Sequence, residues 1–106
     1  MQSKTKLTAE EFFKLYPEES RLELIDGEVY EMPAPSFKHQ LVIVRMLSAL
    51  LRHPETKDRT VVSPVDLVLS ENVVLQPDIV YLSDLSKVKD KIYGAPDLVV
   101  EVVQTK

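Results

Sequence analysis

Two carboxylates interrupt apolar stretches of the chain and are the first candidates for chemistry. Asp78 opens an apolar run that continues to residue 82, and Glu101 lies within another such run over 97–103. A lone buried carboxylate is costly unless it is paired or binds a metal. If the two runs form neighbouring strands, both acids could bind one divalent cation and activate water for attack on phosphorus. Exposure at strand ends, or pairing with Lys or Arg, explains the spacing equally well.

The composition limits which cation such a site would bind. The chain has no cysteine, so thiolate ligands and cysteine nucleophiles are excluded. Oxygen ligands favour a hard cation, which predicts Mg²⁺ or Mn²⁺ and disfavours Zn²⁺. No glycine-rich phosphate loop and no Ser/His nucleophile pattern suggests another chemistry.

Three further side chains could reach such a site, although a simpler reading is available for each. Asp97 shares a strand face with Glu101, but four residues of strand span roughly 13 Å, too far for both to bind one ion. We therefore expect Asp97 to be a strand-entry or turn residue. Asp66 could support the site, but a surface-facing acid on an edge strand is favoured. His39 could contact a phosphate or cap a helix, and a structural or exposed role is favoured for it.

Charge restricts how the protein could bind a nucleic acid. The net charge is −4, which argues against broad electrostatic binding because such affinity comes from Lys and Arg neutralising phosphates. Lys38, Arg45 and Arg52 recur every seven residues and form a basic stripe on one predicted helix face. The stripe could follow a phosphate backbone, but a solvated outer face is the more common explanation.

The first half of the chain contains clear signals for local structure. Thr8 and Glu11 have the spacing of a capping box and predict a helix over 9–16. Asp26-Gly27 separates the apolar stretches 22–25 and 28–32, which predicts a hairpin with a type I′ turn. Apolar residues at helical spacing then predict the main helix over 37–53.

The second half of the chain has the residue pattern of β-strands. Residues 60–69, 76–82 and 97–103 predict three strands, of which the last two lie in the middle of the sheet, and residues 83–95 predict a helical turn or loop. This order predicts an α/β fold with a mixed sheet flanked by helices and preceded by a hairpin. The length fits one domain over 1–106, and the absence of a signal sequence predicts the cytoplasm.

Several blocks, in this order, resemble the Uma family of restriction-endonuclease-like proteins. They are Arg21-Leu22-Glu23-Leu24-Ile25-Asp26-Gly27-Glu28-Val29, Met32-Pro33-Ala34-Pro35-Ser36 with His39-Gln40, Ser63-Pro64-Val65-Asp66-Leu67-Val68-Leu69-Ser70, Gln76-Pro77-Asp78, and Gly94-Ala95-Pro96-Asp97-Leu98-Val99-Val100-Glu101-Val102. Any single block is a weak signal, whereas their succession over nearly the whole chain is specific.

The resemblance implies a PD-(D/E)XK nuclease core and assigns roles within it. Pro77-Asp78 supplies the PD and Glu101 the (D/E), while the Val102 carbonyl is a candidate third metal ligand. Glu23 would approach the cation from the hairpin as an additional catalytic acid, although a solvent-facing strand Glu is at least as common. The implied activity is Mg²⁺-dependent hydrolysis of DNA phosphodiester bonds.

The C-terminal residues depart from this pattern. Val103 stands where the simple motif has lysine, and the family's equivalent lysine generally comes from a helix further along. We therefore expect a fold incomplete at the C-terminus and little nuclease activity unless Lys106, which is poorly placed, substitutes. The alternative is a non-catalytic nuclease remnant that acts as a binding or dimerisation module. Apolar strand residues left uncovered predict a homo-oligomer.

Overall fold

A computed structural model describes residues 6–17 and 20–104 of the chain. Two α-helices, one 3-10 helix and eight strands make up this part. In chain order they are α1 (Ala9–Leu15), β1 (Leu22–Ile25), β2 (Glu28–Glu31), α2 (Phe37–Leu51), β3 (Thr60–Val62), β4 (Leu67–Ser70), β5 (Val73–Leu75), β6 (Ile79–Tyr81), the 3-10 helix (Leu85–Lys87), β7 (Ile92–Tyr93) and β8 (Leu98–Val100). The fold is mixed α/β, as the sequence predicts.

Helix α1 begins at the predicted capping box. The Thr8 hydroxyl accepts a hydrogen bond from the Glu11 amide at 3.2 Å, and the Glu11 carboxylate accepts one from the Thr8 amide at 2.9 Å. These bonds satisfy two amides that have no partner within the helix. The buried side of α1 packs Phe12 against Leu24 and Val74, which holds the helix on the larger sheet.

The hairpin β1–β2 also forms as predicted. Ile25 pairs with Glu28, so the loop contains only two residues. Asp26 and Gly27 have φ angles of 51° and 80°, the positive values that a type I′ turn requires at both positions. Glu23 lies in strand β1, shortly before this turn.

The strands form two sheets, which corrects the single sheet expected from the sequence. Their orders are β2-β1-β5-β4-β7 and β3-β6-β8. The run 60–69 was predicted as one strand, but it divides into β3 and β4, which belong to different sheets. Strand β5 was missed, because it has only three residues and follows β4 after the two residues Glu71 and Asn72.

A small core joins the two sheets and fixes the position of β6. Leu67 of β4 packs with Val80 of β6, and Leu82 and Ile92 complete the buried cluster. Strand β6 is the centre of its sheet, as expected, whereas β8 was also expected in the middle and is an edge. Both strands are shorter than predicted, so Asp78 lies just before β6 and Glu101 just after β8.

Helix α2 is amphipathic but largely uncovered. It ends at Leu51, two residues earlier than predicted, and none of its residues is buried. Its exposed large apolar side chains are Phe37, Leu41, Val42, Val44, Met46 and Leu51. Within the described ranges, neither helix is long and apolar enough to cross a membrane.

Candidate active site

Asp78 and Glu101 lie at the same end of two adjacent strands. Strands β6 and β8 are antiparallel, and Ile79 pairs with Val100. The Asp78 amide donates to the Val100 carbonyl at 3.1 Å, which continues the pairing to the end of the sheet. Both acids line one cavity of about 260 Å³.

The Asp78 carboxylate is fixed by two contacts from distant parts of the chain. Its Oδ2 accepts a hydrogen bond from the Val102 amide at 2.7 Å and lies 3.3 Å from Nε2 of His39. The side chains of Asp78 and His39 are each 9% exposed. His39 is held at the start of α2, where its amide donates to the Ser36 hydroxyl at 3.0 Å. The N-terminus of α2 therefore delivers an imidazole to the buried acid.

Glu23 brings a third acid to the cavity from the hairpin. It lines the cavity together with Asp78 and Glu101. Its Oε2 accepts a hydrogen bond from the Gln76 amide at 2.8 Å. This bond links β1 to the segment before β6, so the two sheets meet at the acids.

The surroundings of Glu101 disfavour its ionisation. Partial burial of its carboxyl group, followed by the negative charges of Glu23 and Asp78, raises the pKa of Glu101 from 4.5 to about 7, while His39 acts in the opposite direction. A bound cation would offset this repulsion.

The raised pKa of Glu101 should make stability depend on pH. The folded protein holds this proton more tightly than the unfolded chain, so this contribution is fully present below about pH 4.5 and is lost as the pH rises through 7. In urea denaturation with EDTA, the free energy of unfolding of Glu101→Gln relative to the parent should therefore rise between pH 5 and 8. A difference that does not change with pH would contradict this.

The donor chemistry of the cavity fits a hard cation, although the arrangement is open. Carboxylates of Asp78 and Glu101 are the ligands that Mg²⁺ and Mn²⁺ prefer, and the repulsion at Glu101 indicates a place for positive charge. In the described residues, however, no three His, Cys, Asp or Glu side chains gather closely enough to form a metal site by themselves. A cation here would need backbone or water ligands as well.

The structure places the other sequence candidates away from this cavity. Asp97 accepts hydrogen bonds from the amide and hydroxyl of Ser83, which lower its pKa. It lies directly before β8 and is therefore a strand-entry residue, one of the two expected roles. The expectation of a surface-facing Asp66 is wrong. Asp66 accepts a hydrogen bond from Gln76 Nε2 and lies 3.5 Å from Lys91 Nζ. It lies just before β4, which is not an edge strand, and its partners lie beside the neighbouring strands β5 and β7 of the same sheet. The stripe of Lys38, Arg45 and Arg52 is exposed.

The sequence did not predict the positions of two cavity residues. His39 was expected to be structural or exposed, yet it contacts Asp78. Arg21, which was not a candidate, lines the cavity beside Glu23. Their positions in the blocks around 21–29 and 32–40 were the only sequence signal for either residue.

The lysine of the simple motif has no counterpart among the described residues that line the cavity. The lining residues of ranges 6–17 and 20–104 include Arg21 and His39 but no lysine. Val103 is 80% exposed. Lys106, the suggested substitute, lies outside the described residues.

Paired acids at the end of adjacent antiparallel strands, in a mixed α/β fold with an N-terminal hairpin, are consistent with a restriction-endonuclease-like protein. A family model, Uma2, described as "Putative restriction endonuclease", matches residues 9–106. The chain belongs to this family. A comparison with curated proteins found no match.

Proposed function

We propose that the protein is a Mg²⁺-dependent nuclease of low activity, whose cavity hydrolyses DNA phosphodiester bonds slowly. The observation that carries this proposal is that Glu23, Asp78 and Glu101 line one cavity, where the pKa of Glu101 is raised. Membership of the restriction-endonuclease family supports the reaction class and DNA as the partner.

The side chains around the cavity have different roles in the proposed reaction. Asp78 and Glu101 would hold the cation, with the Val102 carbonyl as a further oxygen ligand, and the cation would supply charge neutralisation and an acidified water. His39 and the Val102 amide orient the Asp78 carboxylate through Oδ2. Glu23 adds negative charge to the site, and its carboxylate would accept a hydrogen bond from the attacking water.

Metal binding tests the proposal independently of catalysis. We expect Mn²⁺, measured by calorimetry or electron paramagnetic resonance, to bind once per chain. Asp78→Asn and Glu101→Gln should weaken binding by at least the roughly 10- to 100-fold that loss of an outer-shell partner costs. Asp97→Asn is the matched control, because Asp97 also belongs to a Pro-Asp pair but is occupied by Ser83.

Two results would count against a metal site at these acids. One is the absence of Mn²⁺ binding at millimolar concentration in a folded protein. The other is equal loss of binding in Asp97→Asn and Asp78→Asn.

A second candidate function, a non-catalytic dimerisation module, is favoured by the exposed apolar surface of α2. Val42 and Met46 are exposed and lie one turn apart on this helix. Burying an apolar side chain contributes about 1.5–3 kcal/mol, so association of two chains through α2 would be favourable. We propose a homodimer on this basis.

Sedimentation equilibrium measures this association. We expect a dimer at micromolar concentration, and Val42→Glu with Met46→Glu should shift it to monomer. Gln40→Glu, which adds charge at an exposed polar position of α2, should leave the dimer intact. A stable, folded monomer of the unmodified chain would refute the module.

A further inference from the structure

A second cavity adjoins the carboxylate cavity and differs from it in chemistry. It has a volume of about 310 Å³, at the small end of the range for ligand sites. One wall is apolar and comes from Ile43, Val44 and Leu47 of α2 together with Val62 of β3. The two cavities share the lining residues Arg21, Pro35, His39 and Asp78.

Two buried polar atoms of this second cavity have no hydrogen-bond partner. They are Nε of Arg21 and Oγ of Ser63, and neither finds a partner among the described residues. Both residues line the cavity. Buried donors are nearly always satisfied, so two unsatisfied ones in residues that line the same space indicate a ligand or water that accepts hydrogen bonds. Because both atoms are covered by the protein, such a partner requires a small movement of each side chain toward the cavity.

The donors of Arg21 and Ser63 favour an anionic ligand. A guanidinium carries a permanent charge and donates several N–H bonds in a geometry that matches phosphate oxygens, and a serine hydroxyl can add another bond. The negative charge of Asp78 on the same lining would oppose a free anion at that end, so the anion is expected at the Arg21 and Ser63 end. The apolar wall then faces the uncharged part of the ligand.

We propose that this second cavity is a subsite for one nucleotide of the substrate, whose phosphate binds Arg21 and Ser63 and whose sugar and base lie against the apolar wall of α2. The inference rests on the proposed nuclease function, because the phosphate it binds would adjoin the phosphodiester held at Asp78 and Glu101. Arg21 lines both cavities and therefore marks the boundary between the two phosphates.

Binding of thymidine 5′-monophosphate in EDTA tests the subsite without any metal or turnover. In nuclear magnetic resonance titrations we expect this ligand to shift the Arg21 Nε–H and the amides of Ser63 and Val44. Thymidine should bind more weakly because it lacks the phosphate, and inorganic phosphate more weakly because it lacks the apolar part. Arg21→Gln should weaken binding roughly tenfold or more, and Ser63→Ala roughly three- to tenfold, as expected for a charged and a neutral hydrogen bond.

The controls separate this inference from the proposed function. Arg45→Gln removes a positive charge from an exposed position of α2 and should leave binding unchanged, which excludes a general charge effect. Asp78→Asn should still bind the nucleotide even where it has lost Mn²⁺, so failure of the metal site and failure of the subsite are distinguishable. If Arg21→Gln does not fold, Arg21→Lys and Ser63→Ala provide the test.

Three outcomes would overturn the subsite. The first is nucleotide binding that Arg21→Gln or Arg21→Lys and Ser63→Ala leave unchanged in folded proteins. The second is equal affinity for thymidine and its 5′-monophosphate. The third is affinity for inorganic phosphate equal to that for the nucleotide, which would assign the cavity to the free anion.

Discussion

A lysine introduced at position 103 is expected to raise Mg²⁺-dependent nicking of plasmid DNA by about 100- to 1000-fold. This is the typical contribution of one electrostatic group that stabilises the transition state. Position 103 is two residues beyond Glu101 and therefore on the same side of an extended chain. The bond from the Val102 amide to Asp78 holds this segment against the site. Val103 itself is exposed, so the longer side chain has room.

The unmodified chain should accordingly nick plasmid slowly or not at all. Val103→Met is the matched control, because it lengthens the side chain without adding charge, and it should leave the rate unchanged. Asp78→Asn in the Val103→Lys background should remove the gained activity. Robust cleavage by the unmodified chain that Asp78→Ala abolishes would show that a cation already present, with Arg21 the nearest candidate, completes the site.

Leu67→Ala is expected to lower the free energy of unfolding by about 2–5 kcal/mol, the cost of a large-to-small change in a packed core. Leu67 is 0% exposed and packs with Val80, Leu82 and Ile92 where the two sheets meet. Because Val80 belongs to β6, the cavity left behind should also loosen Asp78. Urea denaturation measures the first effect and Mn²⁺ affinity the second.

Leu15→Ala provides the comparison for this substitution. Leu15 is 62% exposed at the end of α1, and alanine is a good helix former, so its effect should stay within about 0.5 kcal/mol. Equal effects of the two substitutions would mean that the contact between the sheets contributes little to stability.

The sequence alone determined those features that depend on neighbouring residues. The capping box of Thr8 and Glu11 and the turn at Asp26-Gly27 are set by local hydrogen bonds and backbone angles, so both form as predicted. The main helix α2 follows from apolar spacing within one segment. Asp78 and Glu101 stood out because each interrupts an apolar run.

Strand pairing, by contrast, was decided by contacts between distant segments. Ser63-Pro64 interrupts the run 60–69 between β3 and β4, but this local break does not show that the two strands join different sheets. Only the pairing of β3 with β6, and of β4 with β5 and β7, assigns them to different sheets. Because β4 pairs with strands on both sides, Asp66 beside it is covered rather than surface-facing.

The composition of the site was also a tertiary result. His39 reaches Asp78 across 39 positions of the chain, and Glu23 meets Gln76 across 53, so neither contact has a local pattern. Burial and the charges of Glu23 and Asp78, which raise the pKa of Glu101, exist only after folding. The sequence thus determined which acids were available, and the packing of two sheets and α2 decided which side chains surround them.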